Sequence, residues 1–337
     1  MVIILAAGKG ARMGEGGSAK VCAEIEGVPA IIRTLRTFKK CGFRRFLIVV
    51  GEEAEQVLEM VSEGHPEALY VFQTRRLGTG HAGMVAAEAL NTIGYRGNIL
   101  VTLGDKYLEA VAIERLVDGF LEQQADMTLL VVPKTPATAK SGAQVFIESD
   151  GTVIDIIERA DFRRQELAED LAARLQRGEE IPGRLLLDLI ARYIPNPTKQ
   201  ITSAGELLAL ARAGAVVDAQ ELNRILSSAP YHLTVGGRRY SAAEIEATCQ
   251  TLNPTLYLFR AECFYTGVGM LTNVNAQGEY YLTDVVKRYA DLQYPDGTRR
   301  YCVRAVVADS ADWIQGFNTL AELEAIRRYV GARSATG

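Results

Sequence analysis

Aliphatic runs of strand length recur along the first 135 residues and alternate with stretches that carry a helical repeat. Val2–Ala6, Phe46–Val50, Tyr70–Phe72, Ile99–Thr102 and Met127–Val132 are nearly continuous in apolar residues. Between them, Pro29–Cys41, Ala54–Ser62, His81–Asn91 and Ala110–Gln124 place apolar side chains three and four apart. Strands without a polar face are those covered on both sides, as in parallel sheets. The alternation therefore predicts an α/β fold, Rossmann-like, with a mostly parallel sheet and helices on both faces. Ligands bind such sheets at the carboxyl ends of the strands. Two polar segments fall at such ends: the loop that follows Ala7, and Gly104-Asp105.

Beyond Val132 the texture changes. Ala143–Ile147 and Val153–Ile157 are short strands joined by Ser149-Asp150-Gly151, a hairpin turn. From about Phe162 to Thr248 the chain is rich in Leu, Ala, Arg and Glu. Helices are predicted over Arg163–Arg177, Pro182–Tyr193, Ala204–Ala213 and Asp218–Ser227, with a last one over Ala242–Thr248. This block reads as a helical insertion, because strand texture returns at Leu256–Phe259 and Tyr301–Ala308 before a closing helix over Ala321–Tyr329.

Composition narrows the function. The 337 residues are 48% apolar and 23% charged with a formal net charge of −4, so the basic excess that drives binding to a nucleic-acid backbone is missing. The first apolar run is too short for a signal core or a membrane span, and a cytoplasmic location without membrane association is expected. Five cysteines form no C-x-x-C pair and three histidines are scattered, so free thiols are expected and a His/Cys metal site is not. A metal held by this chain would sit on oxygen ligands, which suits Mg²⁺.

The chemistry concentrates in a few segments. Gly8-Lys9-Gly10-Ala11-Arg12, followed by Lys20, is a glycine loop that can turn backbone N–H groups and two cations toward phosphate. It is not a dinucleotide fingerprint, since Met13 stands where a small residue is needed, and it is not a P-loop, since Gly-Lys-Ser/Thr is missing. Asp105 follows a buried strand and suits either a metal ligand or a turn cap. Gln73 with Leu77-Gly78-Thr79-Gly80-His81 can read the edge of a base, or Thr79 can cap the next helix. The segment Asn273-Val274-Asn275-Ala276-Gln277-Gly278-Glu279-Tyr280-Tyr281-Leu282-Thr283-Asp284 precedes a helix predicted over Leu282–Tyr289, and no propensity accounts for its composition.

Together these segments resemble the bacterial N-acetylglucosamine-1-phosphate uridylyltransferases of the sugar-nucleotidyltransferase superfamily. The resemblance rests on Leu5-Ala6-Ala7-Gly8-Lys9-Gly10 with Arg12-Met13 and Lys20-Val21, on Gln73 with Leu77–Ala82, on Asp105 and on 275–281. It implies a fold of the nucleotide-diphospho-sugar transferase type. The core would be 1–161 plus 250–318, with a nucleotide-binding half 1–132 and a sugar-binding half 133–161 and 250–318. An insertion 162–249 and a terminal helix 319–330 complete the division. The resemblance assigns nucleotide contacts to Leu5, Ala6, Ala7, Gly8, Gly10, Gln73, Gly78, Thr79 and Gly104. Triphosphate binding falls to Arg12 and Lys20, which with Asp105 form the catalytic set. Asp105 and Asn275 would hold Mg²⁺, and Glu158 and Asn253 would contact the sugar. Glu279 receives no role.

The implied reaction joins UTP and a sugar 1-phosphate into a UDP-sugar and pyrophosphate. Alternatives are a cytidylyl- or thymidylyltransferase, or a nucleotide-binding regulatory module without turnover. Departures from the family pattern gather on the sugar side, where Asn253 is followed by Pro254-Thr255 and Ala143-Gln144 replaces a Gly-Arg start. Near the phosphate loop, Ala11 and Ala19 replace Thr and Pro, and Asp105 is followed by Lys106-Tyr107. No hexapeptide-repeat domain is present in the 337 residues, so acetyl transfer is not expected. A homo-oligomer is compatible with the sequence.

Overall fold

The computed structural model describes residues 1–8, 19–135, 138, 142–214, 216–228 and 231–334. The first part runs β1 (Val2–Leu5), a short pair β2 (Glu24–Ile25) and β3 (Val28–Pro29), α1 (Ala30–Lys40), β4 (Phe46–Val50), α2 (Ala54–Gly64), β5 (Leu69–Phe72), α3 (Thr79–Thr92), β6 (Ile99–Leu103), β7 (Lys106–Leu108), α4 (Ala110–Glu122) and β8 (Met127–Pro133). The hairpin β9 (Ala143–Ile147) and β10 (Val153–Ile157) leads into α5 (Arg159–Gln176), α6 (Gly183–Tyr193), α7 (Pro197–Ala213), α8 (Ala219–Leu226), the pair β11 (Leu233–Val235) and β12 (Arg238–Tyr240), and α9 (Ala242–Thr248). The chain returns through β13 (Thr251–Asn253), β14 (Leu256–Phe259), α10 (Ala261–Gly269), α11 (Asp284–Asp291), β15 (Val303–Val307), β16 (Ile314–Gly316) and α12 (Leu320–Ser334).

The large sheet has the order β10-β9-β13-β8-β14-β6-β1-β4-β5, with β15 added to β8. β5, β4, β1 and β6 are mutually parallel, β15 is parallel to β8, and β14 runs antiparallel between β6 and β8. The expected α/β architecture is present. Strands β1 and β4 are buried along their whole length, as continuous aliphatic strands covered on both faces must be. One core lies on each face. Ile3, Val49, Val101, Phe264 and Tyr289 belong to the first, and Ile4, Ile48, Leu35, Phe38 and Leu116 to the second.

The order of the strands and one bulge position the polar segments. The chain moves outward from β1 through β4 to β5 and then returns to β6 on the other side of β1, so a topological switch point lies between β1 and β6. Pairing of β13 and β14 with β8 slips by two residues at Pro254-Thr255, where Thr255 takes φ +65°. That bulge lets β13 pair with β9 while β14 pairs with β6. Helices α5 to α8 pack around a core of their own, which includes Leu171, Leu186, Ile190, Leu207 and Leu222. The five cysteines are free. Among the described residues no helix is long and apolar enough to cross a membrane.

Candidate active site

At the switch point the end of β6 is tied to β1 by the Gly104 N–H donating to the Leu5 carbonyl at 2.9 Å, and the end of β1 is tied to β4 by the Ala6 N–H donating to the Val49 carbonyl at 2.8 Å. Asp105 follows directly. Lys20 reaches it from a single helical turn, Lys20–Cys22, whose approach is fixed by the Ala19 N–H donating to Gln56 Oε1 at 2.8 Å. The Lys20 ammonium donates to Asp105 Oδ2 and, at 2.9 Å, to Asn318 Oδ1, and lies 5.4 Å from the centre of the Phe317 ring. Asp105 Oδ1 is buried and has no hydrogen-bond partner among the described residues. A buried carboxylate oxygen without a donor is an open acceptor, and a hard divalent cation is the ligand class that satisfies it best. Beside it, burial and the neighbouring Lys20 hold the Lys106 ammonium below its ordinary value, opposed by Asp105. Gly8 lies exposed at the end of β1, whereas Gly10 and Arg12 are outside the described residues.

Asn318 and Phe317 carry no motif. Their placement follows from the start of α12, where Glu322 accepts from the Asn318 and Thr319 N–H groups and the Glu322 N–H donates to Thr319 Oγ1 at 3.2 Å. That reciprocal cap holds the chain end of β16 against the Lys20 turn.

The second glycine loop is zipped to the 273–284 segment. The Tyr280 N–H donates to the Leu77 carbonyl at 2.7 Å, and the Gly80 N–H donates to the Tyr280 carbonyl at 2.7 Å. Thr79 does not cap α3 through its side chain; its Oγ1 accepts from the Leu282 N–H at 3.2 Å. Gly78 takes φ +104°, and a Cβ there would lie 2.9 Å from the Glu279 Cβ and 3.0 Å from the Tyr280 nitrogen. Close backbone approach therefore requires glycine at this position. Gln73 is buried and its amide nitrogen lies 3.1 Å from the Gly78 carbonyl and 3.0 Å from His81 Nδ1, which fixes the side chain against the loop.

Asn275 organises its own turn. Its Nδ2 donates to the Glu279 carbonyl at 2.5 Å, and its Oδ1 accepts from the Gln277 and Glu279 N–H groups at 3.1 and 3.3 Å. The amide is thus engaged within the segment rather than with Asp105. Asn253 is similarly occupied: Nδ2 donates to the Tyr257 hydroxyl at 2.6 Å and Oδ1 accepts from the Thr255 N–H at 3.0 Å, a consequence of the bulge.

On the other side of the segment, a cavity of about 690 Å³ opens between the core and the insertion. Asp155, Glu158, Asp161 and Asp284 line one wall, and Ser203 and Tyr231 belong to the other. Glu158 Oε1 accepts from the Thr283 hydroxyl at 2.8 Å, and Asp161 Oδ1 from the Ala276 N–H at 2.8 Å and from Arg164 at 3.1 Å. Burial raises Glu158 and Asp161 above the usual carboxylate range. Burial, then the Asp161, Asp155 and Glu158 charges, push Asp284 up to about 7, and burial first pushes Asp155 up to about 6.

These raised carboxyls predict a pH dependence. A group protonated more readily when folded stabilises the fold below its unfolded value and loses that contribution as pH rises through its folded value. For Asp284 the loss runs from its ordinary value of 3.8 up to about 7 and is nearly complete there. Thermal unfolding should therefore give a higher Tm at pH 5.5 than at pH 8 from this group. His65, His81 and His232 are lowered by burial and act in the opposite sense. Comparison with Asp284→Asn separates the two: the variant should gain most at pH 8, and an unchanged difference between the two pH values would contradict the assignment.

A model of the MobA-like NTP transferase domain matches residues 2–179. The chain belongs to that family. This NTP transferase chain is 34% identical over 172 residues to the bifunctional protein GlmU of Synechococcus sp. (strain CC9902), a match covering 50% of this chain and 37% of that protein. It is 24% identical over 339 residues to GlmU of Cutibacterium acnes, covering 100% of this chain and 60% of that one. The chain therefore spans less than two thirds of the length of these relatives. Among solved structures, the inositol-1-phosphate CTP transferase from T. maritima superposes with a TM-score of 0.56 at 12% identity, covering 96% of this chain and 94% of that one. That likeness extends to the fold, and the expected nucleotidyltransferase class is met by the family match.

Proposed function

We propose that this NTP transferase moves a uridylyl group from UTP to a sugar 1-phosphate, releasing pyrophosphate. The observation that carries the reading is the Lys20–Asp105 pair at the β1/β6 switch point, with a buried carboxylate oxygen that lacks a partner among the described residues. The resemblance of the sequence motifs to uridylyltransferases supports uridine as the nucleoside.

In this reading the acceptor phosphate attacks the α-phosphorus in line and pyrophosphate leaves, with no covalent protein intermediate. Positioning and charge neutralisation then account for the rate. Lys20 is held for that task by Asp105, Asn318 and Phe317. Asp105, with Asn275 as the other candidate, would hold Mg²⁺; a bound Mg²⁺ neutralises charge developing on the phosphate oxygens. Gln73 and the Gly78-Thr79 backbone would face the base, and Glu158 the acceptor. Arg12 is assigned to the triphosphate on sequence alone.

A different acceptor or nucleoside is the second reading, favoured by Asn253, whose amide is closed into the Pro254-Thr255 bulge. The test is pyrophosphate release with Mg²⁺ from UTP, CTP, dTTP and GTP, each against a panel of sugar 1-phosphates. UTP should give the highest kcat/KM. A tenfold preference for another triphosphate would overturn the uridylyl assignment, and silence across the panel despite UTP binding would favour a regulatory module.

A further inference from the structure

Ala276, in the middle of the 273–284 segment, is fully buried and is gripped from two sides, by the first turn of α5 and by α7. Its N–H donates to Asp161 in the first turn of α5 at 2.8 Å, and its carbonyl accepts from the hydroxyl of Ser203 on α7. One residue on, the Lys199 ammonium, also on α7, donates to Gln277 Oε1. Gly278 packs so closely that a Cβ there would lie 3.1 Å from the Thr202 methyl group. Helix α7 is interrupted at Ala204, with φ −142° and ψ 30°, next to the serine that makes the contact.

The same few residues reach the other parts of the site. Tyr280 and Leu282 are hydrogen-bonded to Leu77, Thr79 and Gly80 of the base loop, and Thr283 to Glu158 at the cavity. Ser203 is buried, so its hydroxyl is a committed partner of Ala276 and not a solvated group that touches by chance. A buried carbonyl that loses its side-chain donor forfeits the desolvation it has already undergone. The segment has a reason to shift if α7 lets go.

We infer that α7 of the insertion is a positioning clamp: Ser203 and Lys199 hold residues 275–283 in register on the Leu77–Gly80 loop. They are positioning residues, acting on the nucleotide side through a segment that neither of them leaves. Because both sides share one tether, loosening α7 loosens the base loop, and occupation of the base loop tightens α7 by the same coupling. The functional consequence rests on the nucleotidyltransferase reading, whereas the mechanical one does not.

The experiment uses the full chain carrying Lys199→Met and Ser203→Ala together, with Lys199→Arg as the conservative variant. Arg224→Ala, whose side chain pairs with Glu221 on the exposed face of α8, is the control. Amide hydrogen exchange is followed on peptides spanning 77–82 and 275–284 and, for reference, on peptides from β1 and β6. The double variant should speed exchange by about tenfold in both 77–82 and 275–284, the scale of one lost buried hydrogen bond. β1 and β6 should be unaffected, and Lys199→Arg and Arg224→Ala should resemble the parent. Kinetics supply the second arm: in the double variant kcat should fall about tenfold and the KM for the triphosphate should rise, whereas Lys199→Arg, which keeps Ser203 and a cation at 199, should stay near the parent in both.

Unchanged exchange in 77–82 would overturn the clamp whether or not the chain turns over UTP. Faster exchange in 77–82 with no pyrophosphate release by the parent chain would uphold the clamp and defeat the uridylyltransferase reading instead. Uniformly faster exchange, β1 and β6 included, would show a general loss of stability and would also overturn it.

Discussion

Replacing Asp105 by asparagine is expected to lower kcat about 10²–10³-fold while leaving the fold in place, the loss typical when one electrostatic group that serves the transition state is removed. The structural argument is local. Asparagine keeps the size of the side chain and an oxygen that can still accept from Lys20, so the contacts of Lys20 with Asn318 and Phe317 survive. It removes the negative charge and fills one of the two oxygen positions with a nitrogen donor. The oxygen that is buried without a partner among the described residues, Oδ1, is where that change matters. A bound cation would lose its anchor, and Lys20, proposed above to meet phosphate, would lose the anion that orients it. Circular dichroism and Tm should be close to the parent, with the loss in kcat larger than any rise in KM. Near-normal turnover at saturating Mg²⁺ would defeat the metal assignment.

The second large effect is expected at Gly78, and it is one of strain. An alanine at φ +104° occupies a backbone region that residues with a Cβ rarely enter, at a cost of about 1–3 kcal/mol. Its Cβ would also press within 2.9 Å of Glu279 and closer still to the Tyr280 carbonyl, and overpacking of this kind adds about 1–3 kcal/mol. The carbonyl is backbone and part of the zipper with Gly80, so it cannot rotate away. Gly78→Ala should lower Tm by roughly 3–8 °C, on the usual relation between free energy and Tm for chains of this size. Nucleotide affinity should fall as well, because the loop proposed above to face the base must separate from Tyr280. Gly236→Ala, at a turn with open space around its Cβ position, provides the comparison for positive φ without the clash. Equal effects at the two positions would show that close approach to Tyr280 is not what selects glycine at 78.

Much of the scaffold was legible because its strands are buried on both faces and its helices are long. β4, β9, β10, β14 and α9 match the sequence reading residue for residue, and Asp150 closes the hairpin turn between β9 and β10 by accepting from the Thr152 N–H. The elements that escaped are short and depend on their neighbours. The pair β11 and β12 has three residues in each strand, yet Gly236-Gly237 between them, both with positive φ, is a hairpin signal that could have been read. Helix α10, with Gly267 and Gly269 inside it and aromatic residues close together, has weak local preference and is held by packing of Phe264 and Val268 into the core. Helix α7 begins at Pro197 rather than 204, since the break at Ala204 hides the continuity of its two parts.

For the site, the motifs marked the correct segments more clearly than they marked how those segments meet. Gly78-Thr79 and Glu279–Leu282 lie about two hundred positions apart, and nothing in either one announces that the two backbones pair. Thr79 has the composition of a cap, but the cap position of α3 is Gly78 and the Thr79 hydroxyl serves the distant segment. Asn318 was invisible because its role comes from the reciprocal cap of α12, a local device that happens to deliver a side chain to Lys20. The acidic wall of the cavity could not be inferred either, since Asp155, Asp161 and Asp284 come from three elements and become neighbours only after β10 and α11 pack together.

The places where the insertion leaves and rejoins the sheet have a consequence for how such a chain could arise. It departs after β10 and returns at β13, and only β9 separates those two strands. Two strand spacings are about 10 Å, but β10 and β13 both run antiparallel to β9 and so parallel to each other, and the shortest connection between them is a crossover of about a dozen residues. A crossover of that length would join the two strands without the helices of the insertion. Lengthening it into a bundle with its own apolar interior changes neither the order of the strands nor the direction of any of them. A different bundle at this junction would therefore change the cavity wall opposite Glu158 while β1, β4 and β6 keep their pairing.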